Sequence, residues 1–553
     1  MPTLRLVPAL ALTALLALPA CSPDPNDVGD QIGILKKSKS DRQKVKAVEN
    51  LQKIGSDAAM KGMLDLLKAT PKPSSQVVAA MAKVFGETKN KDAVEALCEA
   101  VDLTVGSGSD RTSQDANTAN KEIARALGDI GDARAAPTLI KLLKRTSDNY
   151  VRIDTINALS IFKDPDAVEV LIDTAKDDRL ESFINKKALL ALTEFDSEKA
   201  LPTFIWMLFY ERRGTSFFAE SAMGVFRLGD KAVKPLLAVL SGEDKELYAK
   251  AKEEKIVTEA IVSKTAQVLG DLGSREAIPA LLKLLRYKNE ENPAGEYFVR
   301  MAAADALGRM RAKEAIRPLQ AMLGDEETTA RQTYIRALFM IGDKSTASKL
   351  TNCAAKDHWL LRDVCMYGLA MLSPAKDARL FDAYEKNAPK LFEKDCNDYG
   401  IFGSIDCATE GKKDFEVMLK GMKGYRTTIE VVGACQSETD CLAKALDHEE
   451  PRARERAAYE LGRKGGVEVV EPLLSAIHRP LKTATDLAPR FAAVIGLDWA
   501  TRDDADARNK ARAAIPKLRE QIETEKKKQL SQPAAEDISR LIVKLERGQS
   551  EAL

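Results

Sequence analysis

Cysteine is the residue type most concentrated in this chain of 553 residues, because six of its eight cysteines fall between positions 353 and 441. Clustered thiols either hold a metal as thiolates or pair as disulfides, and spacing helps to separate the two. No two of these cysteines have the two-residue spacing of a zinc knuckle, and His358 is the one histidine in the window. Disulfides are the favoured reading: Cys396 with Cys407, Cys435 with Cys441, and Cys353 with Cys365 across consecutive helices. Six cysteines allow fifteen connectivities, so this pairing is a preference and a metal site remains its rival. Cys98 stands apart and reads as a small buried hydrophobe. Other chemistry is sparse. A serine nucleophile motif, a phosphate-binding glycine loop and a metal-binding helix are absent, and Gly106-Ser107-Gly108-Ser109-Asp110 reads as a flexible loop. No catalytic residue, resident metal or cofactor is expected, and the chain reads as non-enzymatic.

The elements that must position these residues are helices in a repeating pattern. A proline follows a helix-capping residue at the fifth position in several copies: Asp132 before Pro137, Ser197 before Pro202, Asp230 before Pro235, Ser274 before Pro279. With Asp164 in the same slot, the capping positions are 32, 33, 33 and 44 residues apart, a period that signals a stacked array. In one copy, a first helix ending in Arg125-Ala126-Leu127 meets Gly128 and Gly131, both able to take the left-handed conformation that closes a helix. Asp132 can then cap the next helix, whose first turn tolerates Pro137. Leu139, Ile140, Leu142 and Leu143 give that helix an apolar stripe that one hairpin cannot bury alone.

These units resemble the HEAT repeats, and in particular the short phycobilisome-lyase-like ones. The resemblance is carried by Val268-Leu269-Gly270-Asp271-Leu272-Gly273 with Glu276-Ala277-Ile278-Pro279-Ala280-Leu281-Leu282, by Val299-Arg300 leading into Ala306-Leu307-Gly308, and by Ala457, Ala458, Leu461, Gly462 and Pro472. It implies an all-α, right-handed α-solenoid of about twelve stacked helical hairpins, with second helices lining the concave face. Ser160 and Thr193 stand where the first glycine belongs, and residues 373–440 fit poorly. Deoxyhypusine hydroxylases, similar at the repeat level, hold iron with several His-Glu pairs, whereas this chain has the single pair His448-Glu449; His358 precedes Trp359 and His478 precedes Arg479.

The first residues carry a second resemblance. A short start with Arg5, an apolar stretch over residues 6–18 and the sequence Leu18-Pro19-Ala20-Cys21 resemble the signal peptide and lipobox of bacterial lipoproteins. The resemblance implies cleavage before Cys21 and its lipidation, with several acyl chains giving a stable anchor. Ser22, where an aspartate would resemble an inner-membrane retention signal, favours the outer membrane, facing the periplasm or the cell surface. The organisation expected is a signal at 1–20, a lipidated tether at 21–33, repeats at 34–372, an irregular cysteine-rich helical segment at 373–440, further repeats at 441–528 and a capping helix with tail at 529–553.

Charge narrows the partners. The chain has 84 basic and 83 acidic residues, and losing Arg5 with the signal brings the two into balance. A nucleic-acid binder would show a basic excess or face, so none is expected as a partner. The expected function is an envelope scaffold for a protein partner that the sequence does not name, with two rivals: a ligand-binding or enzymatic groove, and a structural spacer. Its candidate contact residues are the rings of Trp206, Phe209, Tyr210, Phe217 and Phe218, on and just after a second helix read as Leu201 to Arg213. Rings packed between repeats are the plainer alternative. Ile538, Leu541, Ile542 and Leu545 form the stripe of a terminal cap.

Overall fold

In a computed structural model, the described residues are 23–104, 110–324, 328–356, 359–399, 409–528 and 530–547. Among them the chain is helical throughout, apart from one two-stranded hairpin, Glu211–Arg212 with Thr215–Ser216. No helix among the described residues is long and apolar enough to cross a membrane. Contacts divide the chain into two compact units, one ending at Leu171 and the other running from Ile172. No composition break marks that point in the sequence.

The repeat is built largely as its residues suggest. Asp132 accepts a hydrogen bond from the Arg134 amide at 3.0 Å, and Asp164 does the same for Asp166 at 2.9 Å. Ser197 and Ser274 make no such cap, and Asp230 pairs instead with Arg547 at 2.9 Å. Pro137, Pro202 and Pro279 each occupy a helix's first turn, where a missing amide costs least.

Gly128 corrects the expectation of two helix-closing glycines. Gly131 closes the helix Arg111–Ile130 with φ of 73°, whereas Gly128 lies within that helix. Its missing side chain admits a neighbour: a Cβ there would stand 3.2 Å from Ala158 Cα. Gly86 meets Ala126, Gly308 meets Ala337 and Gly462 meets Gly496 in the same way. The first helices of successive repeats therefore pack backbone to backbone at these positions.

In the second unit this run of first helices comprises Ser182–Leu192, Phe218–Leu228, Thr258–Leu272, Pro293–Arg309, Thr328–Ile341, Trp359–Leu372, Glu410–Gly433, Pro451–Lys464 and Leu487–Arg502. It turns back on itself. Trp499 Nε1 donates to the Arg309 carbonyl at 2.7 Å, Arg463 Nη1 to the Phe339 carbonyl at 2.8 Å, and Arg456 Nη1 to the Ala370 carbonyl at 2.7 Å. The terminal helix Gln532–Glu546 buries Ile538, Leu541, Ile542 and Leu545 and then reaches the Phe218–Leu228 helix, where Arg227 pairs with Glu546 at 3.1 Å. It thus does more than cap the last repeat.

The segment expected as irregular and helical at 373–440 contains two long helices, Arg379–Tyr399 and Glu410–Gly433, whose 21 and 24 residues exceed the repeat's own helices. One other expectation changes. The helix expected to run from Leu201 to Arg213 stops at Met207. Arg213 and Gly214, with φ of 49° and 73°, turn the hairpin that follows.

Candidate functional site

The structure scatters the expected site residues. Cys21 and its leader, Gly106 to Ser109, His358, Cys407 and the Cys396 side chain lie outside what is described. Cys353 is joined to Cys365 and Cys435 to Cys441 as disulfides, while Cys98 is free and half-buried, its thiol pushed up by burial. Asp110 caps the helix Arg111–Ile130 through the Ser113 amide at 3.0 Å. His448 Nδ1 accepts the Glu450 amide at 3.0 Å, and His478 hydrogen-bonds Gln521 at 2.6 Å. Among the described residues no three His, Cys, Asp or Glu side chains group as metal ligands. The described residues therefore do not assemble the iron site that likeness to a hydroxylase would imply.

The aromatic anchor is also corrected. Trp206, Phe209 and Phe217 are buried, Tyr210 stacks between Trp206 at 5.7 Å and Phe217 at 6.2 Å, and Lys250 covers the Trp206 face at 3.9 Å. Only Tyr210 and Phe218 keep partial exposure. Because the backbone turns at residues 211–216, these rings fold onto one another and form core.

A site that sequence reasoning missed emerges when each first helix is counted from its packing glycine. The residues three before and one after it lie on the polar face. In the first unit these are Lys83 and Glu87 about Gly86, Arg125 and Asp129 about Gly128, and Asn157 and Ile161 about the equivalent Ser160; all six are exposed. The helices Ser75–Glu87, Arg111–Ile130 and Asn149–Phe162 carry them side by side. Arg125 reaches across to Asp154 at 3.1 Å and Lys83 lies 3.9 Å from Glu87, so the face is an open strip of mixed charge.

In the second unit the same slots hold Gln267 and Asp271 about Gly270, Asp305 and Arg309 about Gly308, and Tyr459 and Arg463 about Gly462. Here they are largely covered. Arg309 bridges Asp271 at 2.5 Å and Asp305 at 2.7 Å, and Arg336 meets Asp305 at 2.6 Å. Burial alone would raise the Asp305 carboxyl, but Arg309 and Arg336 together outweigh it and hold it below the usual carboxylate range. Burial raises Glu455 despite the Tyr367 hydroxyl that donates to it at 2.8 Å. The repeats of this unit thus use their polar face on one another.

This fold and its stacking glycines are those of HEAT repeats. Models of HEAT repeats match residues 111–183 and 294–370, and a PBS lyase HEAT-like repeat matches residues 264–287. Among curated proteins, deoxyhypusine hydroxylase of Candida albicans is 28% identical over 251 residues, covering 41% of this chain and 76% of the relative. This relative, an enzyme by name, overturns the expectation of a non-enzymatic chain. Among solved structures, the CpcE and CpcF complex of phycocyanin lyase from Nostoc sp. PCC7120 is 23% identical, covers 48% of this chain and 93% of that chain, and has a TM-score of 0.25. Kap121p bound to Ste12p is 10% identical, covers 95% of this chain and 67% of that chain, and has a TM-score of 0.41.

Proposed function

We propose that this HEAT-repeat protein is a lipid-anchored scaffold of a bacterial envelope that holds a protein partner along the polar strip of its first unit. One observation carries the reading: the slots at Lys83, Glu87, Arg125, Asp129, Asn157 and Ile161 are exposed, while those about Gly270, Gly308 and Gly462 in the second unit are largely covered and serve the chain's own packing. The strip's alternating charges suit a partner with a complementary polar surface, which sets register more than affinity. An anchor on Cys21 is supported by the lipobox-like Leu18-Pro19-Ala20-Cys21, and two disulfides accord with an oxidising compartment outside the cytoplasm.

The test is crosslinking in intact cells, purification through a C-terminal tag, and mass spectrometry of the mature N-terminus and of captured proteins. The reading expects a lipidated Cys21 and one enriched envelope protein whose capture is lost in the Arg125→Glu, Asp129→Lys double variant. Capture that ignores this variant removes the strip from the proposal. An unprocessed N-terminus removes the anchor.

A further inference from the structure

We propose that the second unit binds a small organic polyanion in a cavity of about 510 Å³, where Arg275, Arg311, Lys313, Arg463 and Arg502 converge beside Trp499. This goes beyond the scaffold reading and stands independently of it.

The cavity is built by the ends of first helices that meet across the unit. Gly273 and Gly342 close the helices Thr258–Leu272 and Thr328–Ile341 with φ of 73° and 84°. Neither could carry a side chain freely. A Cβ at Gly342 would stand 2.9 Å from Arg463 Cδ, and one at Gly273 would overlap the Arg502 guanidinium. These two arginines arrive from repeats far later in the chain and are fixed in place: Arg463 by the Phe339 carbonyl, Arg502 by Asp498 at 2.7 Å. Helix-end capping accounts for Arg463.

It does not account for Arg311. That guanidinium sits 5.7 Å from the Trp499 ring and, among the described residues, forms no ion pair. Burial first, and then the nearby Arg502 and Arg275 charges, hold it below its usual value; Arg463 is lowered to about 10 by burial, with Arg456 and Arg311 adding to the effect. Only two carboxylates line the cavity, Glu314, at 3.6 Å from Arg275, and Asp503. Five cations against these two anions and the Asp498 carboxylate that holds Arg502 still leave a local excess of two in a chain whose net charge is +1. Such an excess in a concave site, where Arg275, Arg311 and Lys313 keep contact with solvent, is stabilised by a bound anion, and guanidinium forks suit carboxylate and phosphate oxygens. The volume lies in the range of small-molecule pockets, about 300–1,000 Å³, and is too large for a lone phosphate to fill. Met310, Ile341 and Trp499 add an apolar wall. The ligand class is therefore an organic molecule bearing two or more carboxylate or phosphate charges on a partly apolar body.

The experiment is calorimetric titration of the full chain with citrate, adenosine diphosphate and inorganic pyrophosphate, with glycerol as the uncharged control. Arg311→Gly is the key variant, because Arg311 has φ of 54° and glycine already fills such helix-end positions at 131 and 273. The proposal expects saturable binding of at least one organic anion, weakened at least about tenfold by Arg311→Gly. The variant's own melting temperature should stay within a few degrees of the parent. A second variant, Lys313→Glu, should weaken the same ligand. Vesicles of phosphatidylglycerol against phosphatidylcholine distinguish a lipid headgroup from a free anion: retention on the anionic vesicles lost in Arg311→Gly assigns the headgroup, and binding of soluble anions alone assigns a metabolite. No saturable binding by any probe, or binding indifferent to both substitutions, overturns the proposal.

Discussion

Trp499 donates its indole N–H to the backbone carbonyl of Arg309 at 2.7 Å, joining residues 190 positions apart. Two helices far apart in sequence are fastened at that point, with the Arg309 guanidinium also 5.2 Å from the Phe491 ring. Trp499→Phe keeps most of the buried ring and deletes the donor. Urea unfolding should show a loss of about 1–3 kcal/mol, the cost of an orphaned buried carbonyl. A change within error would mean that this contact does not fasten the unit.

Packing glycines and turn glycines should separate cleanly. A Cβ at Gly86 would stand 2.8 Å from Ala126 Cα, so Gly86→Val must push two helices apart and should cost about 3 kcal/mol. Gly131 has φ of 73° and open space around it. Since asparagine tolerates that conformation, Gly131→Asn should cost under about 0.5 kcal/mol. Equal costs in thermal melts would contradict the division of roles.

The buried charges predict opposite pH behaviour at two sites. Asp305 is held below its unfolded value, so its contribution is present above about pH 4 and is lost as pH falls through the folded value. Asp305→Asn leaves Arg309 with Asp271 alone and takes the carboxylate from the partly exposed Arg336, and should cost about 1–3 kcal/mol at neutral pH, a gap that narrows as the parent's carboxylate is protonated.

Glu455 is raised, so its contribution is present below about pH 4 and is lost as pH climbs through the folded value. Glu455→Gln keeps an acceptor for the Tyr367 hydroxyl and removes the cost of a buried charge. It should stabilise the second unit at pH 7 and make little difference below about pH 4. Urea midpoints across that range read both effects, and a destabilising Glu455→Gln at pH 7 would reverse the sign argued here.

Reduction should act on one unit. The disulfides close loops of sequence separation 12 and 6, both in the second unit, so dithiothreitol should lower its stability by about 2–4 kcal/mol. The first unit's hydrogen-exchange protection should not change. A loss in both units would show that their unfolding is coupled.

Local signals in the sequence carried the repeat well. A proline in the first turn, an aspartate before it and the Ala-Leu-Gly ending are chemically forced within a few residues, and Asp132, Pro137 and Gly131 behave accordingly. Gly128 was misread because a glycine's sequence does not reveal whether its freedom or its smallness is being used. The ring cluster at Trp206 was misplaced because a two-strand hairpin replaces the helix end. The polar strip and the cavity were invisible for a different reason. Asp129 and Arg309 occupy the same slot of the repeat, one exposed and one covered, and nothing local distinguishes them. Only the return of distant helices does, and that is a long-range property.

The pairing of Arg227 with Glu546 spans 319 residues, and this separation sets an order of events in synthesis. A chain emerging from its N-terminus can complete the first unit's local stacking early. The Phe218–Leu228 helix, by contrast, must wait for the last helix before its final neighbour exists. Until then the charged flank at Arg227 stays solvated, and closure comes as one late, entropically costly step. For an ordinary solenoid, assembly can nucleate anywhere and spread; for this unit, the Phe218–Leu228 helix gains its last neighbour only once the helix Gln532–Glu546 has been made.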